Sequence, residues 1–158
     1  MEFTCELRHR EAQPTLCIRT RTSAVDLSSE LARAYGLISR YMADVAQEPA
    51  GPPYTAFYSR DEQDLDVEIG IPVPEPVPGQ GEIQAGEIPE GWYASCLYIG
   101  PYEGIGPAYD ALIAFIADEG RAPLGVAYEF YLSDPSRTPP ADREVLVIFP
   151  LARQEEDV

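Results

Sequence analysis

The run Val126-Ala127-Tyr128-Glu129-Phe130-Tyr131-Leu132 sets a carboxylate in the middle of an apolar, aromatic stretch with the alternation of a β-strand. Alternation puts Ala127, Glu129 and Tyr131 on one face, and Tyr128, Phe130 and Leu132 on the other. An ionised carboxylate buried among such neighbours costs several kcal/mol unless it is paired, so it must take up a proton or find a cation. A lipophilic cation would satisfy it, and each aromatic face turned toward that cation would add about 0.5–2 kcal/mol. Alternation alone leaves a second reading open, in which this face is solvated and Glu129 is an ordinary exposed glutamate. Glu68, flanked by Val67 and Ile69, poses the same choice between a solvated edge and a polar group turned into a pocket. Trp92, after the Pro89-Glu90-Gly91 turn, can rim a pocket or fill core. Tyr residues number 10, and the hydroxyls of those that are buried need partners.

The elements that must position these residues come from an internal repeat. Leu31, Tyr35, Ile38, Met42 and Val45 recur at helical spacing after a start signal in Asp26 and Ser28, and Ile105, Ala108, Tyr109, Leu112 and Ile116 do the same before Gly120. Superposed, Ala34-Tyr35 matches Ala108-Tyr109, Ile38 matches Leu112, and Met42 matches Ile116. Phe57-Tyr58 then aligns with Phe130-Tyr131, and the block 66–73 with 144–151. Strand-like runs at 15–20 and 93–99 precede the helices. Each half therefore reads strand, helix, strand, strand. The sequence predicts one α+β domain over 1–153 made of duplicated β-α-β-β units with antiparallel sheet and pseudo-twofold symmetry, halves at about 1–74 and 87–152. A Pro-rich connector, 72–86, reads as an extended spacer, and 154–158 as an acidic tail. Duplicated halves leave a groove between them, where small-molecule pockets commonly lie. The repeat assigns Tyr54, Ala56 and Tyr58 to the face corresponding to that of Glu129, so Tyr54, Tyr58, Glu68, Trp92, Glu129 and Tyr131 are the candidate ligand-binding residues.

Composition narrows the partners. Asp and Glu total 27 against 11 basic residues, a net charge of −16 that repels phosphate backbones and anionic lipid surfaces. No run approaches the length needed to cross a bilayer, and the N-terminus lacks a basic segment followed by an apolar one, which places the chain in the cytoplasm. The three cysteines show no metal-ligand spacing and read as reduced, small core residues. The one histidine, His9, lies between Arg8 and Arg10 in what reads as an exposed polar segment. No metal or other cofactor is expected.

Gly100-Pro101-Tyr102-Glu103-Gly104, the helix ending Asp118-Glu119-Gly120, and Tyr128-Glu129-Phe130-Tyr131-Leu132-Ser133-Asp134-Pro135 together resemble the GyrI-like small-molecule-binding family, the effector-binding domain of AraC-type and MerR-type multidrug regulators. The block 66–73 is similar to its first-half signature. The resemblance implies two β-α-β-β units and a groove in which a buried glutamate, here Glu129, recognises lipophilic cationic or aromatic compounds. No residues precede the module to hold a helix-turn-helix, so direct DNA binding is not expected. Relatives that stand alone imply three roles: capture of toxic small molecules; hydrolysis of strained, cyclopropane-bearing electrophiles with Glu129 as acid or base and Tyr131 orienting water or substrate; or inhibition of DNA gyrase through protein contact. The acidity carries one expectation of its own. A gel-shift titration with purified protein at physiological salt should show no sequence-specific complex with duplex DNA, and a specific, salt-sensitive shift would contradict it.

Overall fold

The computed structural model describes residues 3–59 and 61–154. In chain order the elements are β1 (Cys5–Arg10), β2 (Gln13–Thr22), α1 (Leu27–Asp44), β3 (Tyr54–Phe57), β4 (Leu65–Pro72), β5 (Gln84–Ile88), β6 (Gly91–Ile99), α2 (Gly106–Asp118), β7 (Ala127–Tyr131) and β8 (Glu144–Pro150), with short 3-10 turns at Tyr102–Gly104 and Pro140–Asp142. The protein is α+β, and its paired strands run antiparallel. Two compact units divide it: a first unit, Ala12–Pro89, and a second unit, Glu90–Val158 joined by Met1–Glu11. Among the described residues no helix is long and apolar enough to cross a membrane.

In the first unit the strands lie in the order β3-β4-β2-β5, with α1 packed on one face. Ala34, Ile38 and Met42, spaced one turn apart, are the residues α1 buries, and they meet Leu16 and Ile18 of β2 and Val67, Ile69 and Ile71 of β4. In the second unit the order is β1-β6-β8-β7, and Ala108, Leu112 and Ile116 of α2 meet Ala94, Cys96 and Tyr98 of β6 and Val145, Val147 and Phe149 of β8. The repeat-matched apolar stripes therefore build equivalent cores.

Each unit gains one strand that the repeat did not reveal. Residues 84–88, at the end of the Pro-rich connector, form β5 and pair with β2. The connector is no free spacer, because Val73, Val77 and Ile83 are buried in the first core and the Tyr41 hydroxyl donates to the Pro78 carbonyl at 2.6 Å. At the other end, the segment around His9, whose Arg8, His9 and Arg10 are exposed, is strand β1. Cys5 and Leu7 turn toward the α2 core while Glu6, Arg8 and Arg10 alternate with them, and Cys5 lies directly across from Cys96. All three cysteines are free thiols.

Both helices stop in the same way. Gln47 N–H donates to Met42 O at 2.8 Å, and Arg121 N–H to Ile116 O at 3.0 Å, the long-range bond of a Schellman end. That ending needs a left-handed residue, which is Gly120 at φ +68° in one case and Ala46 at φ 55° in the other. A Cβ in that conformation is strained. Ala46→Gly should thus raise the unfolding free energy by about 0.5–1 kcal/mol and Gly120→Ala should lower it by about 1 kcal/mol. Urea midpoints at unchanged m-value measure both; shifts of the same sign would contradict the assignment.

Candidate functional site

Glu129 is 2 % exposed. Its neighbours on the same face of β7, Ala127 and Tyr131, both pack against the α2 core, so the carboxylate points into the layer between β7 and α2. Phenol hydroxyls meet it there. Tyr102 donates to Oε1 at 2.7 Å, Tyr131 donates to the same oxygen at 3.1 Å, and Tyr109 donates to Oε2. Hydrogen bonds to an ionised acceptor contribute about 1.5–3 kcal/mol each, enough to offset much of the cost of burying the charge. The carboxylate is thereby solvated by protein, and held in place by it.

Three elements deliver those hydroxyls. Tyr131 is two residues along β7. Tyr109 rises from α2 one position beyond Ala108, its ring tilted against Phe149 at 5.8 Å between centroids. Tyr102 belongs to the 3-10 turn, which is fixed by the Tyr98 hydroxyl donating to the Pro101 carbonyl. That hydroxyl sits so close to Gly104 that a Cβ there would lie 2.6 Å away, which explains the small residue closing the Gly100-Pro101-Tyr102-Glu103-Gly104 motif. Tyr102 is 40 % exposed, so the cluster has one side on solvent.

A second carboxylate cluster occupies the first unit. Val67, Ile69 and Ile71 face α1, so Glu68 and Gly70 face away from it, and Tyr54 and Ala56 stand directly across from Gly70 and Glu68. The Tyr54 hydroxyl donates to Glu68 Oε2 at 2.7 Å and lies 3.0 Å from Thr15 Oγ1; the Tyr58 hydroxyl donates to Glu68 Oε1 at 3.3 Å. Burial, and then the Glu68 charge, push the Tyr54 phenol far above its ordinary pKa, so it stays a donor. A cation already stands here: the Arg19 guanidinium lies 3.8 Å from the centre of the Tyr58 ring and binds Asp66 through Nε and Nη2 at 2.6 and 2.9 Å. The Asp66 hydrogen bonds raise the Arg19 pKa and lower that of Asp66.

The structure thus gathers Glu129 and Tyr131 in one unit, and Tyr54, Tyr58 and Glu68 in the other. Trp92 is the second residue of β6, its ring edge-on to His9 at 5.6 Å and 6.0 Å from the Arg121 guanidinium carbon. Two residues of the Glu129 cluster, Tyr102 and Tyr109, escaped the sequence reading. A tyrosine on the buried stripe of a helix needs a partner for its hydroxyl, which was the available signal for Tyr109. The repeat alignment of the third strands also needs correcting by one residue. Tyr58 N–H bonds Asp66 O and Leu132 N–H bonds Glu144 O, so with the matched β4 and β8 blocks in register Tyr58 corresponds to Leu132, and Thr55 to Glu129. A slip of one flips every side chain to the other face, so Tyr54, Ala56 and Tyr58 lie on the face away from their helix, whereas Glu129 lies toward its own. Among the described residues no group of three or more His, Cys, Asp or Glu is placed to hold a metal ion.

Comparison with known proteins agrees with the fold. The chain superposes on the EcmrR C-terminal domain with a TM-score of 0.81 at 17% identity, covering 98% of this chain and 100% of that one. Against EcmrR in its DNA complex the TM-score is 0.85 at 18% identity over 96% of this chain, which spans only 58% of that protein. A hydrolase from Listeria innocua gives 0.69 at 13% identity, with 94% and 91% covered. SAV2435 bound to tetraphenylphosphonium gives 0.66 at 10% identity, with 99% and 97% covered. No curated protein matches the chain in sequence. The family model of the GyrI-like small molecule binding domain matches residues 3–152, and the chain belongs to that family.

Proposed function

We propose that the protein binds lipophilic, aromatic cations, with Glu129 as the counter-charge. The observation that carries this reading is a carboxylate buried to 2 % exposure whose partners include phenol hydroxyls from Tyr102, Tyr109 and Tyr131. A soft cation can approach such a carboxylate from the side of Tyr102, the exposed member, while the rings of Tyr109 and Tyr131 stay in place. Tyr102 then gives up its bond to Oε1, and the Coulomb attraction replaces it. That a relative of the same fold is bound to tetraphenylphosphonium supports the class of ligand. In the Glu68 cluster the place of a cation over Tyr58 is taken by Arg19, so Tyr54, Tyr58 and Glu68 serve structure in this proposal, and Trp92 serves the α2 core.

A catalytic reading shares the same atoms. Glu129 within hydrogen-bond reach of Tyr109 and Tyr131 is an acid-base group beside hydroxyls that can orient water, the arrangement a hydrolase of strained electrophiles would use. A hydrolase from Listeria innocua shares the fold.

Two measurements follow. Glu129→Gln keeps the volume of the side chain and removes its charge, so calorimetry with matched cationic and neutral aromatic dyes should show the cationic dye losing about 1–3 kcal/mol of affinity and the neutral one far less. Equal losses for both dyes would make Glu129 a structural residue. The two readings separate on turnover: with excess cyclopropane-bearing electrophile, stoichiometric and reversible capture supports binding, and repeated turnover abolished by Glu129→Gln supports catalysis.

A further inference from the structure

The second unit's sheet has two faces, and only one is spent on α2. Trp92, Ala94, Cys96 and Tyr98 pack with the helix, so Tyr93, Ser95 and Leu97 face away from it; on β8, Val145, Val147 and Phe149 pack with the helix, and Leu146 and Ile148 face away. This opposite face holds a cavity of about 420 Å³, within the range that takes drug-sized molecules. Leu97, Leu132, Leu146 and Ile148 supply an apolar floor, and Leu97 and Leu132 remain 39 % and 43 % exposed.

The wall is charged. Glu6, Arg8 and Arg10, the outward positions of β1, line the cavity together. Arg8 is matched by Glu6 at 2.7 Å, whereas Arg10 stands over the Phe130 ring at 5.3 Å, a position that leaves its guanidinium N–H groups without a carboxylate among the described residues. The lining therefore carries a net charge of +1 (two Arg less one Glu) in a chain of net charge −16. A floor of aliphatic side chains beside a spare guanidinium matches a molecule with an apolar body and an anionic head.

We propose that this face is a second binding site, for amphiphilic anions: a carboxylate or sulfonate head on Arg10 and Arg8, its alkyl or aryl body on Leu97, Leu132 and Ile148. The head takes the fork of guanidinium donors, and the tail covers leucines that water otherwise contacts. The site is distinct from the Glu129 cluster, which lies on the opposite face of the same strands, and it does not rest on the reading of that cluster. One unit then offers sites of opposite charge preference on its two faces.

Calorimetry with decanoate, decyltrimethylammonium and decanol tests it. Decanoate should bind more tightly than either of the others, and the Arg8→Ala/Arg10→Ala double variant should weaken it at least tenfold. Leu97→Glu, at a half-exposed position that tolerates a polar side chain, should do the same by placing a like charge on the floor; circular-dichroism melting of both variants confirms that they fold. Glu129→Gln should leave decanoate affinity unchanged, and saturating tetraphenylphosphonium should not displace decanoate. Equal affinity for the anionic and cationic chains, or insensitivity to both variants, overturns the proposal. Displacement by tetraphenylphosphonium together with sensitivity to Glu129→Gln would assign decanoate to the Glu129 cluster and also overturn it.

Discussion

A carboxylate taken out of water beneath a helix is the constraint around which the second unit is arranged. Glu129 is buried to the same degree as the aliphatic residues beside it, yet it keeps hydrogen-bond donors. A donor on a single flexible side chain would not suffice, because an unpaired buried charge costs several kcal/mol each time its partner swings away. The hydroxyls therefore come from three backbone elements whose positions are fixed for other reasons: β7 by its pairing with β8, α2 by Ala108, Leu112 and Ile116, and the 3-10 turn by the Tyr98 hydroxyl. Phenol is suited to this because the ring packs as core while its hydroxyl reaches across to the charge.

The duplicated unit shows what the scaffold does without that charge. At the position corresponding to Glu129 stands Thr55, fully buried, and at the position of Tyr109 stands Tyr35, whose hydroxyl is 3.3 Å from Thr55 Oγ1 and donates to Tyr54 O at 2.7 Å. The tyrosine on the helix and a polar residue on the strand are thus common to both units, and only one of them is ionisable on the strand. A neutral pair fills the gap in the first unit. Its carboxylate, Glu68, was placed on the other face, where Arg19, Tyr54 and Tyr58 surround it. The two units share one frame, and at the matched strand position one carries the neutral Thr55 and the other the ionisable Glu129.

Most of the scaffold could be read from the residues because it rests on apolar periodicity. The stripes of α1 and α2 build the two cores, except that Val45, which the spacing assigns to the first stripe, lies just past the end of α1 and is 37 % exposed. Strands β1 and β5 were hidden for a physical reason: each lies at the outer side of its unit's sheet, buries one face only in part, and carries charged or small residues that mask alternation, as in Cys5-Glu6-Leu7-Arg8. Strand register was hidden for another. Aromatic pairs such as Phe57-Tyr58 and Phe130-Tyr131 look alike in sequence, but side chains in a strand repeat every two residues, so matching them one position out moves Tyr54 and Tyr58 to the wrong face. The motif around Glu129 was legible as chemistry because an acid amid aromatics conflicts with local patterning. Its partners Tyr102 and Tyr109 were not, since nothing in the sequence says which of the 10 tyrosines converge in space.

A carboxylate solvated by phenols also differs from a bare one in which cations it can prefer. Small hydrated ions must shed tightly held water to reach Glu129, and they gain a Coulomb term that the existing hydroxyl bonds already reduce. A large aromatic cation spreads its charge, sheds little hydration free energy, and gains contact with ring faces worth about 0.5–2 kcal/mol each. In the proposed binding role, the same hydroxyls that make the burial of Glu129 tolerable would tilt the balance away from inorganic ions and toward soft organic ones. Selectivity of this kind would need no close steric fit, only a carboxylate whose polar partners can be exchanged one at a time, and the proposal assigns the first exchange to Tyr102, which is 40 % exposed on a short turn.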